Sequence, residues 1–269
     1  MKTNYKLLDT GKGRKLEQFG DLKLVRIAKQ AFWKPSLPAS EWDKAQVRYK
    51  DEKWIGESED FTVTFDDCTF SLGLLETGQV GVFPEQAENW KWLKDVTKDK
   101  ELKIINGFAY TGGSTLFSST PKTEVVHLDA SKPSITRAKT NLELSGKSEN
   151  KVRFISDDVV TFLEKEVQRG KKYDGFIFDP PAFGRGGKGK IWKLSKDLSR
   201  LIELIGSLSD GSPSFVLITA HDPDMDGKML SNYLSRIAPK DSNIESGDLI
   251  MKSEDGRSMR NGYYARFSV

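Results

Sequence analysis

The segment Asp179-Pro180-Pro181-Ala182-Phe183 combines a carboxylate, two prolines and an aromatic ring directly after a short apolar run. Prolines restrict the backbone and lack N–H groups, so the segment presents carbonyl oxygens without competing donors. The carboxylate and the carbonyl of Pro180 can accept hydrogen bonds from a planar amine while Phe183 stacks on its ring. This pattern predicts a clamp for a planar amine. The structural alternative is a rigid turn with a buried phenylalanine.

Carboxylates also follow two other apolar runs. Asp129 ends one of them and lies 17 residues after Gly112. A strand-end acid about 20 residues after a glycine turn accepts hydrogen bonds from the ribose of an adenosine. Asp158 follows the next run and is predicted to accept a hydrogen bond from the adenine amine. Both acids have an alternative role in capping the following helix, and for Asp158 the two roles are compatible.

A glycine-bearing turn, N-G-F-A-Y-T-G-G-S at residues 106 to 114, indicates which adenosine compound fits. A dinucleotide site needs G-x-G-x-x-G, so that bare backbone can approach a pyrophosphate. Here the bulky Phe108 and Tyr110 stand between the glycines. The turn therefore fits two phosphates poorly, and NAD is the weaker alternative. It fits a ligand with an amino-acid tail and a sulfonium better.

The pattern after residue 100 predicts the elements that position these residues. Short apolar strands alternating with helices indicate a mostly parallel sheet covered on both faces. Ligands in such sheets bind beyond the carboxyl ends of the strands, where all the residues above lie. Two closing runs without a helix between them predict an antiparallel edge. The predicted strands are 102–107, 124–128, 152–155, 175–178 and 215–218, and a long helix is predicted over 191–208.

The chain before residue 100 has a β pattern. Alternating runs at 61–65 and 70–74 around an acidic turn predict a hairpin. Proline is favoured in a first helical turn, so Pro84 is predicted to begin a helix. We therefore expect a small β-rich N-terminal subdomain over 1–80 and a second domain over 81–269.

The ordered segments N-G-F-A-Y-T-G-G, H-L-D-A-S, D-D-V and F-D-P-P-A-F resemble the successive motifs of class I S-adenosylmethionine-dependent methyltransferases. The first motif is similar to that of the bacterial ribosomal RNA large-subunit methyltransferase group, and the stretch 183–194 is similar to a branch of that group. The resemblance covers roughly residues 60 to 269. It implies a Rossmann-like α/β fold, with a mostly parallel seven-stranded sheet and an antiparallel edge strand, and S-adenosylmethionine as cofactor.

The resemblance also implies roles for the strand-end residues. The turn over 106–114 would line the methionine portion of the cofactor, and Asp179 would border both the methyl group and the acceptor. The expected cofactor contacts are Asn106, Phe108, Tyr110, Thr111, Gly112, Ser114, Asp129, Ala130, Ser131, Asp158, Val159 and Asp179. The expected catalytic residues are Asp179, Pro180, Pro181 and Phe183.

The position of the cysteine separates two kinds of methyl transfer. Methylation of carbon 5 of a pyrimidine needs a cysteine nucleophile. The end of the fifth predicted strand reads Thr219-Ala220-His221-Asp222, and Cys68 lies far away beside the predicted hairpin, where a packing role is expected. The sequence therefore favours direct transfer to a nitrogen or oxygen.

Basic residues indicate the substrate less specifically. A loop over 185–196 carries Arg185, Lys188, Lys190, Lys193 and Lys196, and an earlier patch carries Lys12, Arg14, Lys15, Lys23, Arg26 and Lys29. Such patches can hold phosphates while Phe183 or Trp192 stacks on a base, although an ordinary solvated face is an open alternative. We expect methylation of a base nitrogen in structured RNA, with ribosomal RNA favoured. Small-molecule or protein methylation, and RNA binding without catalysis, are the alternatives.

The bulk composition sets limits on other functions. The chain has 269 residues, 42 Lys and Arg against 39 Asp and Glu, one cysteine and two histidines. A disulfide within the chain is excluded, no metal site is expected, and only a carboxylate magnesium site stays open. No leader or membrane span is expected, so the predicted location is the cytoplasm. The oligomeric state stays open.

Overall fold

The computed structural model describes residues 1–185 and 191–269. The chain divides into two compact units. The first unit consists of Met1–Ala87, Thr140–Gly146 and Ile250–Asn261, and the second of Glu88–Lys139, Lys147–Leu249 and Gly262–Val269. The division at residue 80 expected from sequence stays a prediction about domain organisation.

The first unit is β-rich, as expected for the start of the chain. Its elements are β1 (Tyr5–Gly11), β2 (Arg14–Phe19), β3 (Leu22–Ile27), α1 (Ala39–Trp42), β4 (Val47–Lys50), β5 (Lys53–Ile55), β6 (Phe61–Phe65) and β7 (Cys68–Leu72). β1 to β5 form one sheet in chain order, and β6 pairs with β7 as the predicted hairpin. The second strand of that hairpin begins two residues earlier than predicted, at Cys68, which is buried.

A buried ion cluster corrects part of the predicted basic patch. Glu17 accepts two hydrogen bonds from Arg26, at 2.7 and 2.8 Å, and one from Tyr5 at 2.9 Å. Lys15 lies 3.2 Å from the same carboxylate. Lys15 and Arg26 are both buried, so they neutralise Glu17 inside the unit and do not present charge to a partner.

Asp9 fastens the segment after β3 to the sheet. Its carboxylate is fully buried and accepts hydrogen bonds from the backbone of Ser36 and Leu37 and from Nε1 of Trp42. Arg257 also binds this carboxylate, at 2.5 Å. One carboxylate thus satisfies the polar groups of a segment that has little regular structure of its own.

A seven-stranded sheet forms the core of the second unit. The strands after residue 100 are β8 (Lys103–Gly107), β9 (Glu124–Asp129), β10 (Lys151–Ser156), β11 (Gly175–Phe178), β12 (Phe183–Arg185), β13 (Ile191–Lys193), β14 (Phe215–Ala220), β15 (Glu245–Lys252) and β16 (Ser258–Ser268). The sheet order is β10-β9-β8-β11-β14-β16-β15, while β12 and β13 form a separate hairpin. The strands from β10 to β14 are parallel, and β16 is antiparallel to β14. The predicted Rossmann-like fold is confirmed.

Helices connect the parallel strands. A 3-10 turn at Pro84–Gln86 leads into α2 (Ala87–Thr97), followed by α3 (Gly113–Ser118), α4 (Lys132–Leu144), α5 (Val159–Gln168), α6 (Leu194–Leu208) and α7 (Gly227–Leu234). α6 buries leucines and isoleucines at helical spacing. It begins three residues later than predicted, because Ile191–Lys193 pairs with Phe183–Arg185. No helix in the described parts of the chain is long and apolar enough to cross a membrane.

Candidate functional site

The carboxyl ends of β8 and β11 lie side by side in the second unit. Gly107 and Phe178 are register partners at the ends of these parallel strands. β9 and β10 continue the sheet on one side of this pair, and β14 continues it on the other. The order of the strands in the sheet changes direction between β8 and β11, because the chain continues through β9 and β10 on one side and through β14 on the other. Open α/β sheets bind ligands at such a switch point. The glycine turn and the D-P-P-A-F segment therefore leave adjacent strands at the switch point.

The glycine turn has an unusual backbone. Phe108 and Tyr110 adopt φ values of 55° and 49°, in a region that aromatic residues rarely occupy, and Gly112 has φ 91°. The backbone N–H of Tyr110 donates to Asp129 at 2.8 Å, and that of Gly112 donates to the Ala109 carbonyl at 3.0 Å. Left-handed residues of this kind cluster at ligand-binding sites, and here hydrogen bonds hold them in place.

Asp129 connects the glycine turn to the start of the helix after β9. Its Oδ2 accepts from Tyr110, and its Oδ1 accepts from the backbone N–H of Ser131 at 2.8 Å. Ala130 and Ser131 are exposed beside it. The helix itself is capped by Ser131, whose hydroxyl accepts from the backbone N–H of Ser134 at 3.3 Å, so Asp129 fixes the capping residue and does not cap the helix. Because each carboxylate oxygen has two acceptor positions, this role is compatible with the predicted ribose contact.

Asp158 is the N-cap of α5. Its Oδ1 accepts from the backbone N–H of Thr161 at 2.9 Å. Val159 is buried, and a Cβ on Gly107 would lie 3.1 Å from it and 2.5 Å from the Phe178 ring. The strand ends are thus closely packed under the site, and the adenine contact of Asp158 stays a prediction.

Asn106 is part of a buried polar chain that sequence reasoning missed. Its amide donates to Thr115 Oγ1 at 2.8 Å, and this hydroxyl lies 2.9 Å from Nδ1 of His127. All three side chains are buried. They connect β8, β9 and α3 beneath the glycine turn. The predicted contact of Asn106 with the cofactor stays a prediction, as do those of Thr111 and Ser114 in the same turn.

His127 should make the stability of the protein depend on pH. Burial lowers its pKa to about 4, against 6.5 for an exposed histidine, and a hydrogen bond to the Tyr110 backbone opposes the shift only in part. The neutral ring stabilises the fold fully above pH 6.5, and about 3 kcal/mol of stability is lost as the pH falls to 4. Urea unfolding at pH 7 and pH 4 would measure this loss. His127→Gln should remove the part of the pH dependence that protonation of His127 causes. An equal loss of stability in the wild type and in His127→Gln would contradict this role of His127.

The D-P-P-A-F segment places a carboxylate at the switch point and then leads into β12, which begins at Phe183. Asp179 follows β11, and its Oδ1 accepts from the hydroxyl of Thr219 at 2.5 Å and lies 3.3 Å from Nε2 of His221. Pro180 is buried beside it and Pro181 is exposed. Sequence reasoning assigns Thr219 and His221 no role in the site and notes only that the end of the fifth predicted strand has no cysteine. Their position at the carboxyl end of the predicted strand 215–218 is the signal that could have identified them, and in the structure that strand, β14, pairs with β11.

The aromatic residues of this region have different roles. The Phe183 ring is 52% exposed, so the alternative of a rigid turn with a buried phenylalanine is wrong. Trp192 is buried, packs against Phe108 at 5.1 Å between ring centroids and donates to the Pro181 carbonyl at 2.7 Å. The suggestion that Trp192 stacks on a base is therefore wrong, and this residue instead joins the glycine turn to the D-P-P-A-F segment.

The predicted basic loop is described only in part. Lys188 and Lys190 lie outside the described residues, and Lys193 and Lys196 are exposed. Among the residues that the structure describes, no group of three or more histidine, cysteine or acidic side chains could hold a metal ion.

Known methyltransferases are similar to this chain in sequence and in fold. A family model for S-adenosylmethionine-dependent methyltransferases matches residues 15–249. The crystal structure of such a methyltransferase from Agrobacterium tumefaciens matches with a TM-score of 0.91 and 30% identity, covering 98% of this chain and 90% of that chain. A methyltransferase structure complexed with S-adenosylhomocysteine has the same fold, with a TM-score of 0.76 and 15% identity, covering 99% of this chain and 76% of that one.

A curated relative points in the same direction. Ribosomal RNA large subunit methyltransferase I of Aeromonas salmonicida is 31% identical over 106 residues, which are 39% of this chain and 26% of that protein. The chain thus spans about a quarter of the length of this relative. The family match, which extends over most of the chain, also decides between S-adenosylmethionine and NAD. The chain belongs to the S-adenosylmethionine-dependent methyltransferase family, and S-adenosylmethionine is its cofactor.

Proposed function

We propose that this methyltransferase transfers a methyl group to a nitrogen of a base in ribosomal or other structured RNA. The observation that carries the proposal is the Asp179 carboxylate, which Thr219 and His221 contact, followed four residues later by the exposed Phe183. A fixed acceptor beside an aromatic face suits a planar ring that bears an amine. The ribosomal RNA methyltransferase among the relatives supports RNA as the substrate class.

The residues of the site suit direct transfer. S-adenosylmethionine, when bound, supplies a methyl group that the positive sulfur already activates. Cys68, the single cysteine, is buried in β7 and is not available as the nucleophile that carbon-5 chemistry requires. The site therefore has to align acceptor and methyl group, and such positioning can supply roughly 7–11 kcal/mol of the barrier. A base in a duplex would have to be unpaired or flipped out to reach Phe183.

The carboxyl ends of the strands offer suitable groups for the cofactor. We assign the ribose hydroxyls to Asp129, the adenine amine to Asp158 and the methionine portion to the turn over 106–114. Both acids are partly exposed and keep acceptor positions beyond their backbone hydrogen bonds. Asp179 and Phe183 then face the acceptor.

Asp129→Ala should weaken binding of S-adenosylmethionine by about 10- to 150-fold, since each charge-assisted hydrogen bond contributes about 1.5–3 kcal/mol. Titration calorimetry with S-adenosylmethionine and with NAD measures the effect directly. Asp157→Ala is the matched control, because Asp157 likewise lies at the carboxyl end of a parallel strand, β10, but is 2.7 Å from Lys165 in an ion pair. Wild-type affinity in Asp129→Ala would contradict the ribose assignment.

The RNA proposal is tested with tritiated S-adenosylmethionine and nucleic acid from cells that lack the gene. We expect methyl incorporation into an RNA fraction, no incorporation with Asp179→Ala, and less with RNA from cells that carry the gene. Mass spectrometry of the digested nucleosides would identify the methylated atom. Label in protein or small metabolites and none in RNA would contradict the proposal, as would a methyl group on carbon or ribose.

A further inference from the structure

An exposed aromatic ring stands among basic residues in the first unit. Phe32 is 85% exposed, although it lies between the buried Ala31 and the half-buried Trp33. Its ring contacts the edge of Trp33, with 5.6 Å between ring centroids. A ring this exposed offers a π face on which a ligand can stack.

Backbone hydrogen bonds hold the Phe32 segment against the turn between β1 and β2. The N–H of Lys12 donates to the Trp33 carbonyl at 2.8 Å, and that of Gly13 donates to the Ala31 carbonyl at 2.7 Å. The carbonyl of Gly13 accepts from Ala28 at 2.8 Å. The turn that carries Lys12 is therefore held next to the backbone of the Phe32 segment.

Side-chain contacts make the support of Phe32 rigid. Nε1 of Trp33 donates to the Thr10 carbonyl at 3.1 Å. A Cβ on Gly11 would lie 2.6 Å from the backbone of Pro35, so only glycine permits this close approach. The buried Asp9 fixes the residues that follow. A ring on such a support loses little conformational freedom when a ligand stacks on it.

Four cations around Phe32 have no acidic partner among the described residues. They are Lys12, Arg14, Lys29 and Lys34, none of which forms an ion pair within the described chain. Two carboxylates near this segment are already used, since Asp9 and Asp255, which accepts from the Ser36 hydroxyl, both bind Arg257. The charge of this surface is therefore positive and uncompensated.

We infer that Lys12, Arg14, Lys29, Phe32 and Lys34, here called the Phe32 surface, bind a single-stranded segment of the RNA substrate. A base stacks on Phe32 and the flanking phosphates contact the cations, as in proteins that combine aromatic rings with basic grooves. A duplex would offer no base face to this ring. The inference rests on the proposed function for its choice of RNA, and it adds a binding surface apart from the residues of the transfer site.

Fluorescence anisotropy with the full-length protein and a fluorescein-labelled 12-nucleotide oligouridylate tests the surface. Phe32→Ala should weaken binding by roughly 5- to 150-fold, the range for loss of one base–aromatic stack. Phe32→Trp should bind at least as well as the wild type. Lys12→Gln combined with Arg14→Gln should flatten the slope of log affinity against log salt by about 0.7 for each phosphate that is no longer neutralised.

Ile55→Ala is the matched control, because Ile55 is an exposed apolar residue of the same unit outside the Phe32 surface. It should bind the oligonucleotide like the wild type, and all variants should unfold at the same temperature. Wild-type affinity in Phe32→Ala, or an unchanged salt slope in the double variant, would overturn the inference.

A kinetic measurement separates this inference from the proposed function. Phe32→Ala should raise KM for RNA while KM for S-adenosylmethionine stays the same. If RNA is methylated and Phe32→Ala leaves its KM unchanged, the surface is wrong and the proposed function stands. If Phe32-dependent oligonucleotide binding is found but no RNA accepts a methyl group, the surface stands and the proposed function is wrong.

Discussion

Turnover of Asp179→Ala is expected to fall by at least about 10²- to 10³-fold, the range for losing one preorganised polar group at a reacting centre. Asp179 lies at the end of β11, where Thr219 donates to it and His221 lies 3.3 Å away. Its carboxylate is proposed to hold the acceptor amine in line with the methyl group. Without it the acceptor can still bind beside Phe183, but its nitrogen is no longer oriented.

Single-turnover kinetics with saturating S-adenosylmethionine measure this effect, and calorimetry should show that cofactor binding falls much less. Thr219→Val, which removes only a hydroxyl that positions Asp179, should have a smaller effect in the same direction. Asp174→Ala is the matched control, because Asp174 lies at the opposite end of β11 and accepts a hydrogen bond from the Lys103 backbone. Turnover equal in Asp179→Ala and Asp174→Ala would contradict the role of Asp179.

Replacing Glu17 with alanine should destabilise the protein by about 3–5 kcal/mol, because it leaves two buried cations, Lys15 and Arg26, without the carboxylate that neutralises them. Burial by itself would raise the pKa of Glu17, but Arg26 and Lys15 overcome this effect and hold it at about 2. The stabilisation is thus fully present above the ordinary glutamate pKa of 4.5 and is lost as the pH falls towards 2. Urea unfolding at pH 7 measures the loss in free energy of unfolding.

The control for this experiment is a salt bridge of the same unit at the surface. Glu254 lies 3.0 Å from Lys6, and both side chains are more than half exposed. Glu254→Ala should cost less than about 1 kcal/mol, because water screens such pairs. If Glu17→Ala costs no more than Glu254→Ala, the buried cluster does not stabilise the fold by neutralising its cations.

Local patterns in the sequence were sufficient for the strands that carry the site. The strand predicted at 175–178 is found at Gly175–Phe178, and the one predicted at 124–128 extends by one residue to Asp129. A buried parallel strand is a continuous apolar run, and a polar or glycine residue marks its end. These signals lie within a few residues of one another, so no knowledge of distant neighbours is needed. The motifs that resemble the methyltransferase family are also short local segments, so their order along the chain is recognisable without the structure.

Prediction was less accurate where a segment depends on a distant partner. The helix predicted from residue 191 begins at Leu194, since Ile191–Lys193 forms a strand with Phe183–Arg185. Lys15 and Arg26 looked like part of a surface patch and are buried around Glu17. Hydrophobic periodicity and charge counts describe a segment by itself, so they do not show which distant residues it contacts.

The sequence by itself determined the fold class and the cofactor class, and it indicated the strand ends at which the chemistry is proposed to take place. Only the tertiary structure showed that Thr219 and His221 meet Asp179, 40 residues earlier in the chain than Thr219. It also showed that Trp192 joins the D-P-P-A-F segment to the glycine turn rather than facing a substrate. The physical reason is that strand order decides which strand ends are neighbours, and spacing along the chain does not specify that order.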